Sequence, residues 1–378
     1  MQAIVPPSGR NPNGHTEAEI RAALAGLSGS RRWSFHYTLL TKTNVVRTDA
    51  LEGVISCRID QNWAADIKRT MQMKIRDTGA VDWLSDRIQP RVRLHLAPYG
   101  IDDWVEWPLG VFMLNSPKRT AESTGQVTRD LTGYDLTQLY ADDAPPTRYT
   151  VVKGATYMAG IVSLLGVQGK VVTPNTQTAT VALSWDPGTT RLRMINDCLG
   201  NINYNSLSFD ENGLALINPY VVPSKRAIEW TYADDDYGLL VPGGEQTLDL
   251  ASVPNQIVKI VSDPDRPKLV AKATNTNPGS PLSTVRRGRI ITRVDQEQNA
   301  PSLLYLQTRA EVELVAASQV YESVEFETGL NPLHSGNDVY RLRYSPLALN
   351  SPYAELAWSM ELKAGARMKH TARRVVTI

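Results

Sequence analysis

Ala354-Glu355-Leu356-Ala357-Trp358-Ser359-Met360-Glu361-Leu362-Lys363 is the stretch that decides the fold class. Ala354, Leu356, Trp358, Met360 and Leu362 fall on every second position. Successive side chains of a strand point to opposite faces, so this spacing predicts a strand with those five residues on one buried face. Working outward, Asp338 to Tyr344, Ser323 to Thr328 and the nearly continuous apolar run Gln256 to Val261 also read as strands, as does Ile228-Trp230-Tyr232 alternating with Glu229 and Thr231. One long helix interrupts them, over about 300–318. Asn299 is its expected cap, Pro301 sits in its first turn, and Leu303, Leu306, Ala310, Leu314 and Ala317 form its apolar stripe.

Period-two patterning also fills the first third. Trp33, Phe35, Tyr37 and Leu39 alternate with Ser34, His36 and Thr38. Met71-Met73-Ile75 and Val92-Leu94-Leu96 repeat the pattern, and Val105 to Leu114 reads as one more strand, with Pro108 and Gly110 marking an edge or bulge. Between these regions the chain mixes types. Tyr157 to Leu165 and Leu192 to Leu199 have helical spacing, and Asp210-Glu211-Asn212-Gly213 is a hairpin turn between Leu207-Phe209 and Leu214-Leu216. The first residues are rich in Pro, Gly and Asn and lead into a capping box, Thr16 to Glu19, that starts a short helix closed by Gly26 and Gly29. The expected class is mainly β with an α+β insertion. The expected organisation is an arm with a short helix over 1–30, a β-barrel-like domain over 31–145, a smaller α+β domain over 146–235, and a second β-barrel-like domain over 236–378 that carries the long helix.

Length and charge narrow the function. A chain of 378 residues exceeds one ordinary domain, and 42% apolar with 21% charged residues excludes wholesale disorder. Forty basic against 39 acidic residues leave a formal charge of +1, unlike a dedicated nucleic-acid binder. No apolar stretch approaches the roughly 20 residues of a membrane span, and no basic segment followed by an apolar run marks a secretory signal. Cys57 and Cys198 lie far apart in apolar-patterned stretches and are expected to be buried free thiols.

The sequence offers no catalytic, cofactor-binding or metal-binding residues. The five histidines, His15, His36, His95, His334 and His370, contain no HxH or HExxH pair; His36 and His95 fall on polar strand faces. There is no nucleophile elbow, phosphate loop or dinucleotide fingerprint. The carboxylate runs Asp102-Asp103, Asp142-Asp143 and Asp234-Asp235-Asp236 read as solvated loops, because adjacent residues cannot face each other across a cleft. Trp33, Tyr37, Trp230, Tyr340 and Trp358 fall in strand alternation and are expected to be core. Two basic stretches remain: Arg286-Arg287-Gly288-Arg289 with Arg293, and Lys363, Arg367, Lys369, Arg373 and Arg374. Each reads as a solvated face, a subunit interface or the wall of a channel.

The order of four passages adds a resemblance. Leu109-Gly110-Val111-Phe112, the helix Leu192 to Leu199 leading into Phe209-Asp210-Glu211-Asn212-Gly213, Asn275 to Ser283 followed by Gly288-Arg289, and Asn331-Pro332-Leu333 with Asp338-Val339 occur in sequence. Together they resemble the tail hub, or tail-tip minor tail, proteins of long-tailed phages. These are similar to the baseplate hub proteins of contractile phages and to the N-terminal part of type VI secretion spikes. The likeness covers residues 33–378. Gly336-Asn337-Asp338 departs from the family's usual Gly-Asp, and the wall-hydrolase or fibre extension of some members is not expected here.

The resemblance implies a non-enzymatic structural protein of the virion, made in the host cytoplasm and placed at the distal end of the tail. It implies two barrel-like domains per chain and a homotrimer whose six barrels form a ring. The long helix would buttress the second barrel, and the arm would reach a neighbouring ring. Implied partners are a distal tail or tail-tube ring protein, the tape-measure protein and downstream tip or fibre proteins. DNA would pass transiently through the centre, with no stable membrane insertion. The alternatives are a receptor-binding module and a wall-degrading enzyme.

Overall fold

The computed structural model describes residues 1–27, 31–96, 103–123, 125–235, 239–249, 251–263, 266–297, 300, 302–319 and 322–376. Gly29, Asp102, Asp236, Asn299 and Pro301, singled out above, lie outside them.

The arm is not a free extension. In α1 (Glu17–Ala25) the Thr16 hydroxyl accepts from the Glu19 amide at 3.4 Å, while the Glu19 carboxylate accepts from the Thr16 amide at 2.7 Å. These bonds satisfy amides left open at a helix start. Ile20 and Leu24 on its inner face are fully buried in the chain's own core. Ahead of it, Gln2 donates through its side-chain amide to the carbonyls of Pro108 and Pro332, each at 2.9 Å. The arm's helix, open on sequence between its own domain and a neighbouring subunit, docks on its own domain in the described residues.

Eight strands follow: β1 (Arg32–Leu40), β2 (Val46–Thr48), β3 (Val54–Asn62), β4 (Arg69–Arg76), β5 (Arg87–His95), β6 (Trp104–Pro108), β7 (Phe112–Ala121) and β8 (Val127–Asp135). The expected single strand Val105 to Leu114 is two, β6 and β7, broken at a corner over 109–111. Gly110 makes the corner. Its φ is +124°, a region L side chains avoid, and a Cβ there would lie 3.0 Å from Nη1 of Arg69. Gly110→Ala is expected to destabilise by about 1–3 kcal/mol, measured as a shifted urea midpoint with an unchanged slope.

A mixed unit comes next: α2 (Gln138–Asp142), β9 (Tyr149–Val151), α3 (Tyr157–Leu165), β10 (Lys170–Val172), β11 (Leu183–Trp185), α4 (Arg191–Asn201), β12 (Ser208–Phe209) and β13 (Ala215–Ile217). Both expected helices are present, each started by a Thr hydroxyl, Thr156 and Thr190, accepting a first-turn amide. The expected hairpin joins β12 to β13, with Gly213 at φ +79°.

The rest of the chain gives β14 (Trp230–Ala233), β15 (Glu245–Leu248), β16 (Gln256–Asp263), β17 (Arg266–Thr274), α5 (Thr284–Arg287), β18 (Thr292–Glu297), α6 (Leu303–Gln319), β19 (Glu322–Gly329), β20 (Val339–Tyr344), β21 (Leu349–Glu361) and β22 (Arg367–Arg374). The protein is mainly β with α+β features. One large sheet has the order β15-β19-β22-β21-β3-β4-β8-β7-β5-β1-β2, with β20 on β21, β14 on β20 and β6 on β5. Strands from both ends of the chain thus share one ladder, joined where β21 pairs β3 from Ala357–Asn62 to Glu361–Arg58. Two apolar clusters sit on it. The first combines β1 to β8 with α1, Trp358, Met360 and Met368. The second gathers Tyr232, Val324, Phe326, Tyr340, Leu342 and Tyr353.

β21 serves both clusters because it is bulged. Glu355 pairs Ala372 and Ala357 pairs Thr371, so Leu356 has no partner opposite it. The extra residue reverses the alternation. Tyr353 and Glu355 face inward before it, Trp358 and Met360 after it, and Leu356 is only half-buried. The expectation of five residues on one face is corrected accordingly.

α6 packs on β16 and β17 through Ala310, Leu314 and Ala317 against Ile257 and Ala273. It therefore buttresses the separate three-stranded sheet β17-β16-β18. In that interface the buried Lys259 ammonium meets Glu313 at 2.5 Å, Glu297 at 2.9 Å and Asp295 at 3.2 Å. Burial alone would lower its pKa, but these carboxylates outweigh it and hold the amine charged.

Both cysteines are free and buried, Cys57 in the first cluster and Cys198 in the core of the mixed unit. Burial pushes the Cys198 thiol up to about 12, and Cys57 rises as well. Neither is expected to react with Ellman's reagent until the protein unfolds. One fast thiol in the native state would contradict this packing.

Candidate functional site

The sequence named no metal ligands; the fold brings together side chains of the types that can hold one. Among the described residues, His334, Glu355 and His370 each offer a ligand atom, and these atoms lie within 4.8 Å of one another. Three segments bring them there. The passage Asn331-Pro332-Leu333-His334 is tied by Asn331, whose side-chain oxygen accepts from the Leu333 amide at 3.2 Å and whose amide donates to the Tyr232 hydroxyl at 2.9 Å. Gly336 and Asn337 turn it back to Asp338. A Cβ on Gly336 would strike the Trp63 ring at 2.5 Å, and Asn337 has φ +59°, which Asn tolerates. Glu355 faces inward because of the bulge in β21. His370 takes the inward position between Met368 and Ala372 on β22.

The centre is a closed polar network in the second cluster. His334 Nδ1 lies 3.0 Å from Asp338 Oδ2 and 3.6 Å from Glu355 Oε2, while its Nε2 meets the Tyr232 hydroxyl at 2.5 Å. His370 Nδ1 lies 2.9 Å from the same Glu355 oxygen, and its Nε2 meets Thr328 Oγ1 at 2.9 Å. Asp338 also accepts from the Ser335 amide at 2.8 Å and from the amino group of Met1 at 2.6 Å. Phe326 stacks on His370 with centroids 4.8 Å apart. Burial pushes the Glu355 carboxyl well above the carboxylate range. It also takes His370 down to about 3, so that imidazole is neutral at physiological pH. Burial would raise Asp338 as well, but His334 and the amino group more than reverse that and hold it ionised. With these side chains at most 2% exposed, the centre has no contact with solvent through which a large substrate could be turned over. It can share protons or hold a cation.

Sequence reasoning missed this cluster because it sought histidine pairs close in the chain. His334 and His370 become neighbours only when β22 folds back along β19 and β21. The usable signal was His370 itself, a titratable residue on the buried face of an alternating strand.

The other residues singled out are spread over the molecule. His36 and His95 lie half-buried on the Ser34 hydroxyl, at 3.1 and 2.9 Å. Asp103 corrects the reading of its run as a solvated loop: it is buried and takes the arm's His15 and Asn13, each at 2.5 Å. Asp143 pairs Arg191 at 2.7 Å, and Asp234 accepts from the Ser345 amide at 2.8 Å. Arg286 and Arg287 lie in α5 and Arg293 on β18, where it pairs Asp295 at 3.1 Å. In the C-terminal run Arg367 pairs Glu327 at 3.0 Å and Arg374 pairs Glu322 at 2.6 Å. Tyr37, Tyr340 and Trp358 are core, whereas Trp33 and Trp230 are half-buried.

Two of the four ordered passages form one joint. Arg69, 4% exposed, donates to Glu211 in the β12–β13 turn at 2.9 Å, to Gln61 at 2.7 Å and to the Leu109 carbonyl at 3.1 Å. Gln89 donates to the Glu211 carbonyl at 3.0 Å. The hairpin of the mixed unit is thereby fastened to the corner between β6 and β7. The cleft between that unit and α6, lined by Tyr157, Asn201, Tyr305 and Arg309, holds 210 Å³. That is below the roughly 300 Å³ at which small-molecule sites begin.

No protein-family model matches the chain, and no curated protein sequence does. Solved structures do match. The tail protein from Neisseria meningitidis MC58 is 11% identical with a TM-score of 0.64, over 90% of this chain and 97% of that one. The 43 kDa tail protein of prophage MuSo2 from Shewanella oneidensis is 10% identical with a TM-score of 0.61, over 89% and 98%. Prophage tail protein gp18 from Listeria monocytogenes EGD-e is 12% identical with a TM-score of 0.56, over 89% and 94%. At such identities the likeness speaks for the fold, and across about nine-tenths of its length the chain has the fold of these phage tail proteins.

Proposed function

We propose that the chain is a structural protein of a phage tail: a hub at the distal end, three copies of which form a ring between the tail tube and the adsorption apparatus. The observation that carries this reading is the likeness of fold to tail proteins over nearly the whole of both chains. The architecture supports it. Two apolar clusters lie side by side on one ladder, which suits a chain read as two roll-like bodies, three copies of which would supply six. A balanced charge suits a surface that packs against several proteins. In this reading the protein makes and breaks no bonds. Its partners are copies of itself, a tail-tube or distal-tail ring, the tape-measure protein and downstream tip proteins, and DNA passes through the opening without being held. Sedimentation at rising concentration, alone and with the adjoining ring protein, tests it. A trimer in either mixture is expected; a monomer in both overturns the reading.

A further inference from the structure

We propose that His334, Glu355 and His370 form a buried structural site for one divalent transition-metal ion of the zinc class, with Asp338 as the adjoining carboxylate. The donor set is right: two imidazole nitrogens and carboxylate oxygens are what such an ion takes, in four-coordinate closed sites. Three segments distant in sequence deliver the three ligand atoms within 4.8 Å of one another, and none of them is solvated.

Hydrogen-bond accounting gives the independent argument. The Thr328 hydroxyl donates to the Gly329 carbonyl at 2.8 Å, so towards His370 Nε2 it can only accept. Nε2 of His370 therefore carries a ring hydrogen, which leaves Nδ1, 2.9 Å from Glu355 Oε2, as the ring atom able to ligate. Two lone pairs at that separation repel unless a cation or a proton lies between them. Oε1 of Glu355 is also buried without a bond of standard geometry, although the Tyr340 hydroxyl lies beside it. A buried carboxylate oxygen whose nearest donor is poorly aimed is costly, and a metal ion would remove that cost. The outward nitrogens of both rings rest on hydroxyls, Tyr232 and Thr328, the outer-shell partners that fix ring orientation around a metal. On binding, whatever protons the ligand atoms carry leave to solvent, and four donors close on the ion. The ion would clamp the 331–338 passage to the bulge of β21 and to β22, fixing the second cluster.

The test is refolding of the full chain from denaturant in two arms, one with Zn2+ and one with a chelator, so that slow exchange into a buried site cannot hide binding. The expected result is about one retained Zn2+ per chain after desalting, and a thermal midpoint at least about 5 °C above the chelator arm. Refolding with Co2+ should give the visible absorption of a tetrahedral site, and His370→Gln or Glu355→Gln should abolish it. Should these variants fail to fold, the two wild-type arms decide alone. Equal midpoints with less than about a tenth of an ion per chain would overturn the site and leave a proton-sharing core. So would variants that fold and retain as much metal as the wild type.

Discussion

Deleting Ser359 is expected to abolish the fold, whereas deleting Leu356 is expected to leave it standing. Leu356 is the residue with no partner between Glu355–Ala372 and Ala357–Thr371, so its loss turns the bulge into regular ladder with Tyr353, Glu355, Trp358 and Met360 still facing inward. Ser359 is paired on both sides, to Lys369 and to Asp60, so without it either Trp358 or Met360 must turn outward. A one-residue slip moves a strand's buried set to the opposite face. Exposing Trp358 alone is worth about 3–5 kcal/mol, a large part of the 5–15 kcal/mol by which domains are stable, roughly. The join between β21 and β3 would be lost with it. Leu356→Ala keeps the bulge and removes only a half-buried side chain, so its expected cost is below about 1.5 kcal/mol. Circular dichroism and thermal melts separate these variants. A Ser359 deletion variant that melts cooperatively near the wild-type midpoint would show that this pairing does not set the faces of β21.

Glu211→Ala is expected to destabilise by about 3–5 kcal/mol, because it strands the Arg69 guanidinium in a buried site. Arg69 would keep Gln61 and the Leu109 carbonyl but lose its counter-charge. The effect should be a lower urea midpoint for the whole chain, since the pair fastens the mixed unit to the corner between β6 and β7. Replacing both partners, Arg69→Met with Glu211→Leu, should cost less than the single change, because no charge is left buried. The neighbouring turn residue Asn212 is the control. It is exposed and its side chain meets Arg10 among the described residues, so Asn212→Ala should shift stability by less than about 0.5 kcal/mol. Equal effects at 211 and 212 would refute the joint.

What the sequence displayed was local. Period-two alternation marked the strands, and the capping box at Thr16 stands at the start of a real helix. The Asp210–Gly213 turn was legible because positive φ demands a small set of residues. What was hidden depends on residues far apart in the chain. Leu356 looks like one more member of an alternating row, and only pairing with β22 reveals it as a bulge. Pro108 and Gly110 hinted at an irregularity, but the corner needs Arg69 packed beneath it. Asp103 looked solvated because its partners, His15 and Asn13, belong to an arm whose docking no periodicity announces. The polar centre was least legible. Its histidines come from a turn and a strand, and their proximity is a product of the sheet order.

The central claim is that one chain carries two rolls so that three copies stand in for six around the tail axis. A cryo-electron microscopy map of the tail end containing this protein tests it most directly. The account predicts three copies about the axis, with the body formed around β1 to β8 and that formed around β19 to β22 alternating in the ring. Six copies per ring, or a single copy lying to one side of the axis, would contradict it.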